Sequence, residues 1–135
     1  MKEQPTVLII DDDPTHLYVT RELLEDEGLR VYCHEGAFGA TRRFTEVNPD
    51  LVLLDVNMPG LAGDTLANIM RGAQKRRQAS GRHRAERERE VPIVLFSSND
   101  EDSLRNSVIK FGLSGYICKG DLGALRDRVR RFLAA

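Results

Sequence analysis

Leu51-Val52-Leu53-Leu54 is a run of four apolar residues that ends on an acid, Asp55, and the chain then breaks at Pro59-Gly60. A run this short that is apolar at every position predicts a strand buried on both faces, the signature of a parallel sheet rather than of an amphipathic element. Open α/β sheets bind their ligands at the carboxyl ends of the strands, which is where this places the Asp55 carboxylate. Taken alone, Asp55 reads equally well as a solvated acid at a strand end. The other segments decide between the two.

Val7-Leu8-Ile9-Ile10 is a second such run, and it leads straight into Asp11-Asp12-Asp13-Pro14. Asp13 before Pro14 predicts a helix start, the acid at the N-cap and the proline in the first turn. The helix that follows takes its apolar positions from Leu17, Val19, Leu23 and Leu24, and Gly28 is its expected stop. Leu29 to His34 alternates like a strand. Ala37 to Val47 predicts a short helix with Ala40, Phe44 and Val47 in register. A third helix begins near Gly63-Asp64, with Leu66, Ile69, Met70 and Ala73 as its stripe. Pro92 to Phe96 is another buried strand and ends in Ser97-Ser98. Asn99-Asp100-Glu101-Asp102 supplies a cap and first-turn acids for a fourth helix, on which Leu104, Val108 and Ile109 form the apolar face. Ser114 to Cys118 reads as the fifth strand, ending in Lys119. Leu122, Leu125, Val129 and Phe132 mark the last helix.

Five strands alternating with five helices imply a parallel sheet covered on both faces. With right-handed crossovers this is a doubly wound three-layer α/β sandwich. A chain of 135 residues suits one such domain. Nothing in it approaches the length of an apolar membrane span, and no apolar signal-peptide core follows Met1, so a cytoplasmic protein is expected. Cys33 and Cys118 have no zinc spacing and no expected disulfide. The net charge of −1 conceals an asymmetry. Of twenty basic and twenty-one acidic residues, Arg71 to Glu90 holds eight and three, leaving twelve and eighteen elsewhere, so a basic segment is set into an acidic body.

All strands of a parallel sheet end on one edge. That edge collects Asp11, Asp12 and Asp13 from the first strand, Asp55 from the third, Ser97 and Ser98 from the fourth and Lys119 from the fifth. Clustered carboxylates repel unless a cation neutralises them or one takes a proton. Oxygen ligands without His or Cys favour Mg²⁺ over zinc. A hydroxyl and an ammonium beside them suit a phosphoryl group, which a free carboxylate can accept as an aspartyl phosphate.

The runs Leu8-Ile9-Ile10-Asp11-Asp12-Asp13-Pro14, Leu53-Leu54-Asp55-Val56-Asn57-Met58-Pro59-Gly60, Leu95-Phe96-Ser97-Ser98 and Gly115-Tyr116-Ile117-Cys118-Lys119 together resemble the receiver domain of response regulators in bacterial two-component signalling. The resemblance spans essentially the whole chain. It implies a flavodoxin-like (βα)5 fold with strand order 2-1-3-4-5 and a single domain over residues 1–135. Asp55 resembles the phosphoacceptor. Asp12 resembles the direct acidic Mg²⁺ ligand, with Asp11 acting mainly through water and Asn57 giving its backbone carbonyl. Ser97 resembles the switch hydroxyl that swings onto the phosphoryl group, Tyr116 the switch aromatic that turns inward once the hydroxyl has moved, and Lys119 the lysine that contacts the phosphoryl group. Asp13 and Ser98 are read as cap and neighbour. The implied activity is self-phosphorylation and dephosphorylation of an aspartate rather than turnover of a separate substrate. The implied partners are a sensor histidine kinase or phosphotransfer protein and a downstream protein effector, with a homodimer through the face of helix four, strand five and helix five as a further possibility.

Three features depart from that pattern. Gly120 follows Lys119 where the family usually has proline, so a trans Lys119–Gly120 bond is expected. The segment at about 74–90 is longer than compact members need. Gln74 to Gln78 is expected to extend the third helix, and Arg82 to Glu90 to be a solvated charged insertion. No aromatic residue is interleaved there for base stacking, so nucleic acid is not expected as a partner. The end of the chain soon after Leu133 fits a single-domain regulator. Two rivals stand beside this reading. Asp11-x-Asp13-x-Thr15 also fits the nucleophile motif of haloacid-dehalogenase-like phosphatases, although that leaves Asp55 to Pro59 unexplained. A pseudo-receiver, an interaction module that signals without phosphorylation, is the other.

Overall fold

The computed structural model describes residues 4–58, 63–79 and 90–134, with 63, 64 and 74–79 as backbone. The elements are β1 (Thr6–Asp11), α1 (Pro14–Asp26), β2 (Arg30–Glu35), α2 (Ala40–Val47), β3 (Leu51–Leu54), α3 (Gly63–Ala79), β4 (Ile93–Ser97), α4 (Glu101–Phe111), β5 (Gly115–Cys118) and α5 (Leu122–Ala134). Every strand pairing is parallel and the sheet order is β2-β1-β3-β4-β5. This is the doubly wound sandwich expected from the alternation of elements, with the flavodoxin-like strand order that the resemblance implies.

Side chains of a strand alternate between its two faces, and the two cores follow from that. Leu8 and Ile10 of β1, Val52 and Leu54 of β3, and Ile93 and Leu95 of β4 pack with Phe44, Leu66, Met70 and Leu104 of the helices on one face. Val7, Ile9, Leu51, Leu53, Val94, Phe96 and Ile117 pack on the other with Leu17, Leu24, Leu125 and Val129. The middle positions of the central strands therefore have to be apolar on both faces, which is why their runs stood out in the sequence.

Local chemistry sets the helix ends. Asp13 Oδ1 accepts from the Thr15 amide at 2.9 Å and Pro14 occupies the first turn. At the other end of α1, the Gly28 amide bonds to Glu25 O at 2.9 Å and the Leu29 amide to Leu24 O at 3.3 Å, with Gly28 as the expected stop. Asp100 caps α4 through the Ser103 amide at 2.7 Å, and Glu101 and Asp102 fill its acidic first turn.

The structure corrects several expectations. The helix expected from Ala37 begins at Ala40, because Gly39 at its N-cap is left-handed (φ 76°) and offers no side-chain cap. Val19, Ile69 and Ile109 are not core residues but are exposed, as is Leu122. A helix turns about 100° per residue, so the stripes pass instead through Leu17, Thr20 and Leu24, through Leu66, Ala67 and Met70, and through Leu104 and Val108. Gln74 to Gln78 does lengthen α3, whose backbone stays helical to Ala79. Arg71, counted with the basic segment, does not project into solvent. It is buried and donates to Glu90 Oε1 at 2.6 Å, just ahead of β4. The expectations for Pro59-Gly60 and for Arg82 to Arg89 fall outside the described residues. Both cysteines are free.

Candidate functional site

Asp11 is the last residue of β1 and is buried. Asp55 follows β3 directly, and its amide bonds to Ile10 O at 3.0 Å, which sets the two acids level at the sheet edge. Asp12 lies next to Asp11 and is less enclosed. Asp11, Asp12 and Asp55 each bring a carboxylate oxygen within 4.8 Å of the others. Lys119 reaches into this group from β5. Its Nζ donates to Asp11 Oδ2 at 2.6 Å and stands 3.6 Å from Asp55 Oδ2. Only 9% of the Lys119 side chain is exposed, against 3% for Asp11 and 6% for Asp55, so these are buried charges rather than a surface pair.

The remaining oxygens are also engaged. Asp11 Oδ1 accepts from the Asp13 amide at 3.0 Å, and Asp55 Oδ1 from the Asn57 amide at 3.2 Å. Burial pushes the Asp55 carboxyl above its ordinary range. The Asn57 amide and the Lys119 ammonium pull it back, while Asp11 pushes it further up.

Ser97, fully buried at the end of β4, accepts through Oγ from the Asn99 amide at 3.2 Å and from Asn57 Nδ2 at 3.4 Å. A hydroxyl that accepts twice still has its own proton to give. Asn57 Nδ2 also donates to Asn99 Oδ1 at 2.5 Å, joining the loops after β3 and β4 across the mouth of the site. The Lys119 amide bonds to Ser97 O at 2.9 Å, which fixes the root of the lysine to β4.

Three carboxylates against one ammonium leave two negative charges in excess. The donor set is all oxygen, and a divalent hard cation matches it in charge and in ligand type. The residues therefore fit Mg²⁺, with Asp11, Asp12 and Asp55 as those that would hold it.

A family model described as the response regulator receiver domain matches residues 7–130. The chain belongs to that family. Receiver domains bind Mg²⁺ at an acidic pocket, and this chain has an acidic cluster in Asp11, Asp12 and Asp55. Among curated relatives, the sensor protein GacS of Pseudomonas syringae pv. syringae is 31% identical over 115 residues, 85% of this chain and 12% of that protein. The response regulator GacA of Pseudomonas aeruginosa is 29% identical over 119 residues, 84% of this chain and 48% of that protein. The chain thus spans about half of one relative and a small part of the other. Among solved structures, the BeF3-activated N-terminal receiver domain of Klebsiella pneumoniae RstA is 27% identical with a TM-score of 0.79, over 96% of this chain and 99% of that one. No helix among the described residues is long and apolar enough to cross a membrane.

For a receiver domain the haloacid-dehalogenase-like reading has no place, and the structure shows why its motif arose. The Asp13 side chain caps α1 instead of facing the cluster. Gly120 leaves Lys119 within reach of the acids. No cis peptide bond occurs among the described residues, and Gly120 takes the turn at φ 104°, a conformation that L side chains rarely adopt. Tyr116 stands apart from the cluster, its hydroxyl donating to Glu101 Oε1 at 2.7 Å on α4. Sequence reasoning missed that contact, since Glu101 reads only as a first-turn acid. No periodicity in the sequence links it to a strand fifteen residues on.

Proposed function

We propose that this receiver domain accepts a phosphoryl group on Asp55 in a Mg²⁺-dependent reaction, and that the modification acts through Ser97 and Tyr116 on the surface that meets a partner. The observation that carries the proposal is the junction of Asp55 with Asp11, Asp12 and Lys119, four residues from three strand ends that meet in one cluster, three of them with buried side chains.

An Asp55 carboxylate oxygen attacks phosphorus in line with the leaving group. The new O–P bond makes an acyl phosphate as the donor bond breaks, either to a histidine nitrogen of a kinase or phosphotransfer protein or to the carboxylate of a small acyl phosphate. The departing imidazole or carboxylate keeps the bonding electron pair. Asp11, Asp12, Asp55 and the Asn57 backbone carbonyl would hold Mg²⁺, which when bound would neutralise charge on the transferring oxygens. Lys119, whose Nζ stands 3.6 Å from Asp55 Oδ2, would pair with a phosphoryl oxygen, and the Ser97 hydroxyl would donate its proton to another. Asn57 and Asn99, joined to each other over the site, can orient the water that later hydrolyses the acyl phosphate.

The donor is read as a sensor histidine kinase or phosphotransfer protein and the receiver of the signal as a protein effector, in keeping with relatives that are sensor kinases and response regulators. A homodimer through α4, β5 and α5 belongs to the same proposal. So does a cytoplasmic setting, which the free cysteines suit.

Incubation with Mg²⁺ and acetyl phosphate, followed by intact mass, tests the proposal. Wild type gains one phosphoryl group, while Asp55→Asn and metal-free wild type gain none. A wild type that stays unmodified and does not respond to fluoroberyllate would refute it and leave the pseudo-receiver reading.

A further inference from the structure

Tyr116 lies on β5, its backbone paired with Leu95 of β4, two residues before the Ser97 position. Alternation along the strands puts Tyr116, Leu95 and Ser97 on the same face of the sheet, and the Tyr116 ring packs at its base against the core on that face. Its outer end is held by a set of contacts that no part of the phosphoryl site requires. The hydroxyl donates to Glu101 Oε1 at 2.7 Å and accepts from Arg105 at 3.4 Å. Arg105 is itself positioned by Asp102 at 3.0 Å and by Glu101 at 3.7 Å. Arg128 of α5 stands over the ring, 5.5 Å from its centroid, where the face of an aromatic ring attracts a cation. Both polar capacities of the hydroxyl are thus satisfied, and the ring is held between two helices.

We infer that Glu101, with Arg105 and Arg128, is a latch that keeps Tyr116 on the outside of the α4–β5 face and so sets how readily the domain enters its signalling state. This rests on the proposed phosphorylation of Asp55, whose effect reaches Tyr116 through Ser97 on the shared face. An inward turn of Tyr116 breaks the Glu101 and Arg105 contacts, so their strength enters directly into the equilibrium between the two states. A ligand that binds only the inward state has its apparent affinity lowered by the same factor. Glu101 is a positioning residue here and touches nothing at the reacting centre.

The test combines ligand-free NMR of the Tyr116 side-chain rotamer with titration of fluoroberyllate in Mg²⁺. Glu101→Ala shifts the rotamer population inward and raises affinity for the mimic roughly fivefold, the scale of one exposed hydrogen bond to a charged acceptor. Glu101→Gln keeps an acceptor and stays within about twofold of wild type. In a Tyr116→Phe background, which has no hydroxyl to hold, Glu101→Ala changes the affinity no further. An equal effect in both backgrounds, or an unchanged rotamer population in Glu101→Ala, overturns the latch. Failure of the Asp55 reading has a different signature, an absence of response to fluoroberyllate in every variant including wild type. In that case the ligand-free rotamer populations alone decide whether the latch exists.

Discussion

Replacing Lys119 with methionine keeps most of the length and volume of the side chain and removes the ammonium, its charge together with its N–H donors. In the resting cluster that charge lies 2.6 Å from Asp11 Oδ2 and 3.6 Å from Asp55 Oδ2. With an effective dielectric of about 20, these separations correspond to gross attractions of about 6 and 5 kcal/mol. Desolvation of the three groups offsets most of this, and what remains is best gauged by the loss of one partner from a buried pair, about 3–5 kcal/mol. Lys119→Met is therefore expected to lose about 3 kcal/mol in chelator-treated buffer near neutral pH. For 135 residues that lowers Tm by about 10 °C, because the unfolding entropy is about 2 cal/mol/K per residue. Urea unfolding followed by far-UV circular dichroism measures the loss. In an Asp11→Asn background the same substitution costs less, about 1–2 kcal/mol, since only Asp55 is then left without its ammonium partner. Equal losses in the two backgrounds would show that the destabilisation comes from packing, and the charge argument would fail. No loss in either would mean the ammonium is not buried among the acids in solution.

Asp55→Asn tests the sign of the same electrostatics. Because the Asp55 carboxyl is held above its ordinary range, chiefly by burial, the folded state holds that proton more tightly than the unfolded chain. Stability then falls as pH rises from the unfolded value through the folded one. Without metal, Asp55→Asn is expected to match wild type below that window and exceed it above. Tm measured against pH in chelator checks this, and a gap that widens on acidification would contradict it. Asn99→Ala, which breaks the contact with Asn57 over the site, is expected to lengthen the phosphoryl lifetime roughly three- to tenfold by loosening the attacking water, read by intact mass against time. A Cβ at Gly115 would lie 2.8 Å from Phe132 Cζ, so Gly115→Ala is expected to destabilise by about 1–2 kcal/mol. Phe132→Leu in the same chain should relieve most of that in urea titrations.

What the sequence made legible was set by burial on both sides. The middle of a central parallel strand is enclosed on both faces, so the apolar runs Val7–Ile10, Leu51–Leu54 and Ile93–Phe96 announced themselves, and the acids and hydroxyl that ended them had to share one edge. Helical faces were less legible. Val19, Ile69 and Ile109 are apolar neighbours of true core positions but are rotated by a turn fraction that composition does not reveal. Thr20 is buried although it carries a hydroxyl. Charged residues were least legible of all. Arg71 reads as part of a solvated basic tract until Glu90 is placed beside it, and Glu101 and Arg128 read as surface charges until the Tyr116 ring lies between them. Such contacts join residues far apart in the chain and leave no period to detect.

The Arg71–Glu90 pair has one more consequence. It fastens α3 to the residue that enters the Val91-Pro92 approach to β4, so residues 72–89 begin and end at points tied together by the body of the domain. For a stretch of chain whose two ends are held together, doubling the length adds only about 0.6 kcal/mol of closure entropy. The fold therefore has a port between α3 and β4 where sequence can be added or removed without shifting the register that delivers Ser97 to the sheet edge. A change of length at that port and the chemistry at the carboxyl edge of the sheet are then mechanically separate, with the Arg71–Glu90 clasp between them.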